Sequence, residues 1–371
     1  MEKFAFILHP LTARDFARKF SFARNWPDSW IETVMRCLPS FKVSKINGIV
    51  SPHASAEGWF IGCPLTSSQM VNLPEEYVLK RIIQAGRVAQ RLGVGIVGLG
   101  AFTSVVGDAG ITIDRELDIA VTTGNSYTVA TAIEGTEHAC SLMGIDLGQA
   151  EVLVLGATGS IGAACAQIMA PKAGRLVLAA RNTARLETLA TKLIAEIGVN
   201  PRLATDVKRA IRTADVVIAV TSAVEELIEP EDLKPGAVVC DVARPRNVSK
   251  RVSEIRKDVL VIEGGVVEVP GDVDFGINFG FPPKTAYACM AETMILALEG
   301  RYESFTIGRE IRVEQIELIQ TLAKKHGFKL AGLRSFERAL STVEIDQIRQ
   351  AADSSRKQLD APVRERIAVL V

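Results

Sequence analysis

The sequence has no surplus of either charge, no cysteines paired at redox or metal spacing and no grouped histidines, and each lack removes a class of function. Lys plus Arg and Asp plus Glu number 43 each, so no overall field draws nucleic acid or an anionic membrane, and a charged partner has to be met by a local patch. The six cysteines, at 37, 63, 140, 165, 240 and 289, contain no CxxC. The four histidines, at 9, 53, 138 and 326, are too dispersed for a metal site, and none is expected. The opening MEKFAFILHP has no long apolar stretch of the signal-peptide kind. Together these lead to the expectation of a reducing, cytoplasmic setting with free thiols. None of Tyr77, Tyr127, Tyr287 or Tyr302 has a lysine four residues later, so the YxxxK scheme of nicotinamide chemistry is absent. There is no internal repeat and no low-complexity linker. The uncharged run from Val152 to Pro171 has membrane-spanning length, yet three glycines and a strand-to-helix switch inside it mark a soluble core, and no membrane segment is expected.

What is present centres on EVLVLGATGSIG, residues 151–162. An apolar, largely β-branched run (Val152 to Leu155) stops at Gly156, and glycines follow at 159 and 162, the pattern of a buried parallel strand turning into a helix that receives a phosphate. Gly156 permits the turn, Gly159 lets backbone approach a pyrophosphate, and Gly162 lets the helix pack on the strand. The context agrees: strand before, helix over Ser160 to Met169, and a second strand over Arg175 to Ala180. Thr158, Ser160 and Ile161 complete the pyrophosphate loop. The second strand ends in Arg181 and Asn182 with no acid before Glu187. A carboxylate there would hold a ribose hydroxyl, whereas an arginine attracts the 2′-phosphate, so NADPH is the expected cofactor.

At 371 residues the chain can bury more than one core. The expected fold class is α/β: a Rossmann-like doubly wound parallel sheet plus a discontinuous α/β substrate domain completed by C-terminal helices. Residues 1–146 read as the substrate domain, 147–280 as the nucleotide domain, and 281–371 as a helical segment packing back on the substrate domain. An amphipathic helix opens at Pro74 with Glu75 and Glu76 in its first turn. Two strands follow, ending in loops rich in Gly, Ser, Thr and Asn that hold Ser104 and Asn125. In the nucleotide domain, Thr221 and Ser222 follow a later strand and face the nicotinamide side of the crevice.

Pro282 and Pro283 are read as the start of a helix whose first turns hold Cys289, with Lys284 nearby and no acid between Asp274 and Glu292. A helix N-terminus and a cation both favour thiolate. A nicotinamide enzyme with such a cysteine points to acyl transfer, a thiolate attacking a carbonyl and hydride then releasing an aldehyde. The plain alternative is a small buried residue among Ala286, Ala288 and Ala291. Cys63, before Pro64 at a strand end, is a second candidate nucleophile.

Six blocks in order resemble the long-chain acyl-[acyl-carrier-protein] reductases: LGAFTSVV (99–106), LDIAVTTGNSYT (117–128), MGIDLGQAEVLVLGATGSIG (143–162), AARN (179–182), EGGVVE (263–268) and YACMAETMILALEG (287–300). The resemblance implies NADPH-dependent reduction of a fatty acyl thioester, on acyl carrier protein or CoA, to an aldehyde through a cysteine acyl-enzyme. It carries the nucleophile onto Cys289 and keeps Cys63 as a second match. Segments 274–284 and 332–371 depart from the pattern. Ser104 and Asn125 are then candidate donors to the acyl oxygen or the carboxamide, and Lys284 a support for the thiolate. Two other readings stand beside this one: an amino-acid or shikimate-like NADP-dependent dehydrogenase, and a non-catalytic NADP-binding regulatory module. Each allows a homo-oligomer.

Overall fold

The computed structural model of the chain describes residues 1–360 apart from 224–225 and 279–281. The chain divides into two compact units, one formed by residues 1–131 and 265–331, the other by 132–264 and 332 onward. Both are α/β.

The first unit is built on a six-stranded sheet in the order Gly271–Asp274, Phe41–Val50, Ser55–Gly62, Glu2–Leu8, Ile96–Leu99, Ala120–Thr122. The last four strands are mutually parallel and Phe41–Val50 is antiparallel to Ser55–Gly62. Strand alternation sends Ala5, Ile7, Ile61, Val97, Leu99 and Val121 to one face. There they meet Val78, Ile82, Ala85 and Ala89 of the helix Glu75–Arg91. The helix Ala288–Leu298 packs on the strands Glu2–Leu8 and Ile96–Leu99. It is apolar almost all round, as a helix must be when every side is covered, and full burial of Met294, Ile295 and Leu296 contributes about 1.5–3 kcal/mol each.

The second unit contains a six-stranded parallel sheet ordered Leu260–Glu263, Val238–Asp241, Val216–Ala219, Glu151–Leu155, Arg175–Ala179, Arg202–Leu203. Numbered along the chain from Glu151–Leu155 that is 6-5-4-1-2-3, the doubly wound dinucleotide-binding order. The helix Ser160–Met169 falls where the sequence placed it, and Thr183–Ile197 follows the second strand.

The unit boundaries differ from those read off the sequence. The expected break at 280–281 lies outside the described residues. Residues 265–274 belong with the first unit, because Val266–Glu268 pairs with Thr285–Tyr287 and Lys329–Leu330, and Gly271–Asp274 pairs with Phe41–Val50. The first crossing falls inside the continuous helix Asn125–Met143 rather than at residue 146. The tail joins the nucleotide unit instead of the substrate domain. Its hairpin, Arg334–Ser335 with Arg338–Ala339, sets Arg334 beside the buried carboxylate of Glu263, which also pairs with Arg246 at 2.7 Å. Further on, Arg356 of the helix Thr342–Asp360 donates to the carbonyls of Pro235 and Gly236 at 3.2 and 3.3 Å.

The expected proline start of the Cys289 helix also needs correction. A strand, Thr285–Tyr287, follows the prolines, and the helix opens only at Ala288 with Tyr287 as its N-cap residue. Pairing with Val266–Glu268 holds those three residues extended, which no local signal announced.

Candidate active site

In the first unit the parallel strands Glu2–Leu8, Ile96–Leu99 and Ala120–Thr122 lie side by side and end on one edge of the sheet. The loops leaving that edge are where α/β folds place ligands. Cys289 is brought there by its helix, as the second residue of Ala288–Leu298 and the one residue of those eleven that is not buried. At that position a side chain feels the positive end of the helix dipole, which favours a thiolate.

The loop after Ala120–Thr122 presses on the thiol residue. Gly124 has φ +74°, and a β-carbon added to it would lie 2.4 Å from both Cα and Cβ of Cys289. Only a residue without a side chain allows that approach. Asn125 follows immediately as the first residue of the helix Asn125–Met143 and is buried. The structure therefore brings together Cys289, Gly124 and Asn125.

Beneath them lies Glu292, three residues after Cys289 and fully buried. Its Oε1 accepts from the Thr122 hydroxyl at 2.5 Å and the Thr306 hydroxyl at 3.2 Å, and its Oε2 accepts from the backbone N–H of Tyr127 at 2.8 Å. The Ser126 hydroxyl is 2.6 Å from that of Thr306 and extends the network. Burial pushes the Glu292 carboxyl up to about 7, against the pull of these hydrogen bonds, and the Gly124 N–H donates to the Thr122 hydroxyl oxygen at 3.4 Å. Glu292 was missed in the sequence reading. The signal was available: it is the sole charge between Lys284 and Glu299 in an otherwise apolar stretch, and a buried acid in such a helix needs partners.

Other candidates stand differently. The Ser104 hydroxyl donates to the Ala101 carbonyl at 2.7 Å, closing the short turn Ala101–Ser104. Lys284 is half-exposed and its ammonium pairs with Asp272 at 3.0 Å, so it is engaged with a carboxylate. Cys63 is buried in the apolar cluster under the helix Glu75–Arg91, and burial pushes its thiol up to about 12. The same cause raises Cys140 and Cys240 to about 12 and Cys165 further. His9, at the end of the first strand, lies 3.1 Å by Nδ1 from the Pro10 carbonyl, and its Nε2 accepts from the Phe102 N–H at 3.2 Å. Burial lowers it to about 4, so it is a neutral pin between two loops. Among the described residues no three His, Cys, Asp or Glu side chains gather as metal donors, and no described helix is long and apolar enough to cross a membrane.

In the second unit the strand ends Leu155, Ala179 and Ala219 are in register. The loops that follow them carry the remaining sequence candidates along one edge, at the point where the strand order reverses. Gly156 has φ +92°, and a β-carbon on Gly162 would meet the Gly156 carbonyl oxygen at 2.3 Å. The turn and the helix over it are thus closed as tightly as backbone allows. Gly159 caps the helix and is exposed, and a β-carbon on it would touch only the Gly156 oxygen, at 3.4 Å. Thr158, Ser160 and Ile161 are half-buried beside it, and Arg181 stands exposed past the second strand. This cradle fits a dinucleotide phosphate: the N-terminus of the helix Ser160–Met169 opens beside an exposed glycine with room at its α-carbon. Asn182 is used locally, its side chain accepting from the Arg185 N–H as the cap of Thr183–Ile197. The Thr221 N–H and hydroxyl both donate to the buried Asn247 side chain, at 3.1 and 3.0 Å, while Ser222 is exposed.

Comparison with known proteins follows this division. Residues 137–263, the core of the nucleotide unit, match the family described as Shikimate / quinate 5-dehydrogenase. The chain is 30% identical over 335 residues to the long-chain acyl-[acyl-carrier-protein] reductase of Synechococcus elongatus, a match spanning 85% of this chain and 94% of that protein. It is 30% identical over 303 residues to the aminotransferase PigE of a Serratia species, which covers 81% of this chain but 35% of that longer protein. A glutamyl-tRNA reductase of Sorangium cellulosum is 21% identical over 278 residues, 71% of this chain and 47% of that one. The nucleotide fold and these relatives make the protein a reductase that works with a nicotinamide cofactor. Because the first of these identities runs through both units and nearly the whole of the relative, the chain belongs to the long-chain acyl-[acyl-carrier-protein] reductase family.

Proposed function

We propose that the protein reduces a fatty acyl thioester, carried on acyl carrier protein or CoA, to the aldehyde with NADPH, through an acyl-enzyme on Cys289. The observation that carries the reading is the contrast among the cysteines. Four are buried thiols whose burial favours the protonated form, and Cys37 is exposed at the C-terminal end of the helix Asp28–Cys37, whereas Cys289 stands half-exposed at a helix N-terminus in the loops at a sheet's carboxyl edge. In the first half-reaction the Cys289 thiolate attacks the acyl carbonyl. The new C–S bond forms, the old one breaks, and the carrier thiol leaves with a proton. N–H groups at the start of the helices Ala288–Leu298 and Asn125–Met143 supply the kind of donors that stabilise an oxyanion.

NADPH, when bound, supplies the hydride that converts the acyl group to aldehyde. The residues suited to hold it are the 156–162 loop at the pyrophosphate and Arg181 at the 2′-phosphate, where the chain carries no acid before Glu187.

Incubation with a long-chain acyl thioester in the absence of NADPH, followed by intact-mass measurement, tests the assignment. The wild type and Cys63→Ala are expected to gain one acyl mass, and Cys289→Ser none while still binding NADPH. An adduct that persists in Cys289→Ser, or vanishes in Cys63→Ala, overturns it.

A further inference from the structure

We propose that Glu292 is the positioning residue of the thiol site, its carboxylate drawing three separate segments together so that the 122–127 loop seats Gly124 against Cys289. The inference rests on the acyl-enzyme reading for its kinetic consequence, but the geometry it invokes is independent of the substrate.

Three donors converge on this one carboxylate. The Thr122 hydroxyl comes from the end of Ala120–Thr122, the Tyr127 N–H from the first turn of Asn125–Met143, and the Thr306 hydroxyl from the segment beyond the Cys289 helix. The Gly124 N–H is tied to the same set through the Thr122 hydroxyl oxygen at 3.4 Å. Thr306 takes φ +54°, an uncommon backbone for a β-branched residue, and its own carbonyl accepts from the Thr123 hydroxyl at 2.6 Å. The surroundings thus hold the segment in a conformation it would not choose alone. Residues three apart on a helix are neighbours on one face, so the group that collects the loop lies directly below the sulfur-bearing residue. A carboxylate is suited to this work because the Tyr127 amide can only donate. A hydrophobic residue would take away the acceptor of that buried N–H group, and a lysine would add donors to donors. With the loop gathered, Gly124 packs so closely on Cys289 that a β-carbon added to it would lie 2.4 Å from the Cα and Cβ of Cys289, which fixes the thiol residue on that side.

The test compares Glu292→Ala with Glu292→Gln. Gln keeps an oxygen for the Tyr127 amide, and its NH₂ can donate to the Thr122 and Thr306 hydroxyls once these rotate, so the loop stays gathered. In Glu292→Ala, alkylation of Cys289 by iodoacetamide is expected to change by at least tenfold. The turnover number for the thioester should fall by about 100-fold, the effect of a misplacement near 1 Å, with KM and the NADPH dissociation constant within about threefold. Glu292→Gln is expected to restore turnover to within about fivefold of wild type. If Glu292→Ala does not fold, the double variant Thr122→Val, Thr306→Val removes two of the three donors, keeps the carboxylate, and is expected to show the same split. A folded Glu292→Ala or double variant with wild-type alkylation and turnover overturns the proposal, as does a Glu292→Gln as damaged as Glu292→Ala. Since alkylation needs no acyl substrate, loss of the acyl-enzyme reading would leave this readout intact and the two failures can be told apart.

Discussion

Replacing Gly124 by alanine probes the contact on which the thiol site turns. At φ +74° an alanine pays for a left-handed backbone, about 1–2 kcal/mol. Its β-carbon would also come within 2.4 Å of Cα and Cβ of Cys289 and 2.7 Å of its carbonyl oxygen. Unbonded carbons rest about 3.5–4.0 Å apart, so either the loop or the first turn of the Cys289 helix must retreat by roughly 1 Å. Overpacking of this kind adds about 1–3 kcal/mol, for a combined loss of about 2–5 kcal/mol in stability. A shift of that size at a reacting group lowers its rate by about 100-fold. Gly93 provides the control, because it has φ +71° with nothing within 4 Å of its added β-carbon. Gly93→Ala therefore carries the backbone strain without the collision. Thermal unfolding and single-turnover acylation of Cys289 are the measurements. Gly93→Ala is expected to lose stability and keep the wild-type acylation rate, Gly124→Ala to lose both. Acylation in Gly124→Ala within threefold of wild type would refute the reasoning.

The same reasoning extends to the cofactor and to pH. Arg181→Ala removes a charge-assisted hydrogen bond of about 1.5–3 kcal/mol to the 2′-phosphate, so KM for NADPH should rise about 10- to 100-fold with that for NADH unchanged; an unaltered NADPH-to-NADH preference would count against the assignment. Burial moves the Glu292 carboxyl from its ordinary 4.5 to about 7, so the folded state favours its protonated form. That contribution is complete below about pH 4.5 and is lost as pH rises through about 7, a change of about 3 kcal/mol. Glutamine does not titrate, so the unfolding midpoint of Glu292→Gln relative to wild type should climb by roughly 5 °C between about pH 5 and pH 8. A difference that stays flat over that range would mean the carboxyl does not change its charge there.

What the sequence by itself determined is the part of the protein carried by neighbours along the chain. The run Val152 to Leu155, the stop at Gly156 and the spacing of the next two glycines specify a strand, a turn and a helix through local apolar burial and backbone freedom, and the helix Ser160–Met169 has the ends the sequence suggests. The same local logic placed Cys289 near a helix start. It failed where a contact joins residues far apart in sequence. Thr122 and Glu292 are 170 residues apart and Tyr127 and Glu292 are 165 apart, and no periodicity or propensity records that their polar groups share one buried site. The strand Thr285–Tyr287 exists because Val266–Glu268 lies beside it, and the tail joins the nucleotide unit because Glu263 and the carbonyls of Pro235 and Gly236 wait for its arginines. Burial decided the cysteines in the same way: Cys63 and Cys289 read alike as thiols near element ends, and only tertiary packing sealed one in an apolar cluster and left the other half-exposed at a helix N-terminus.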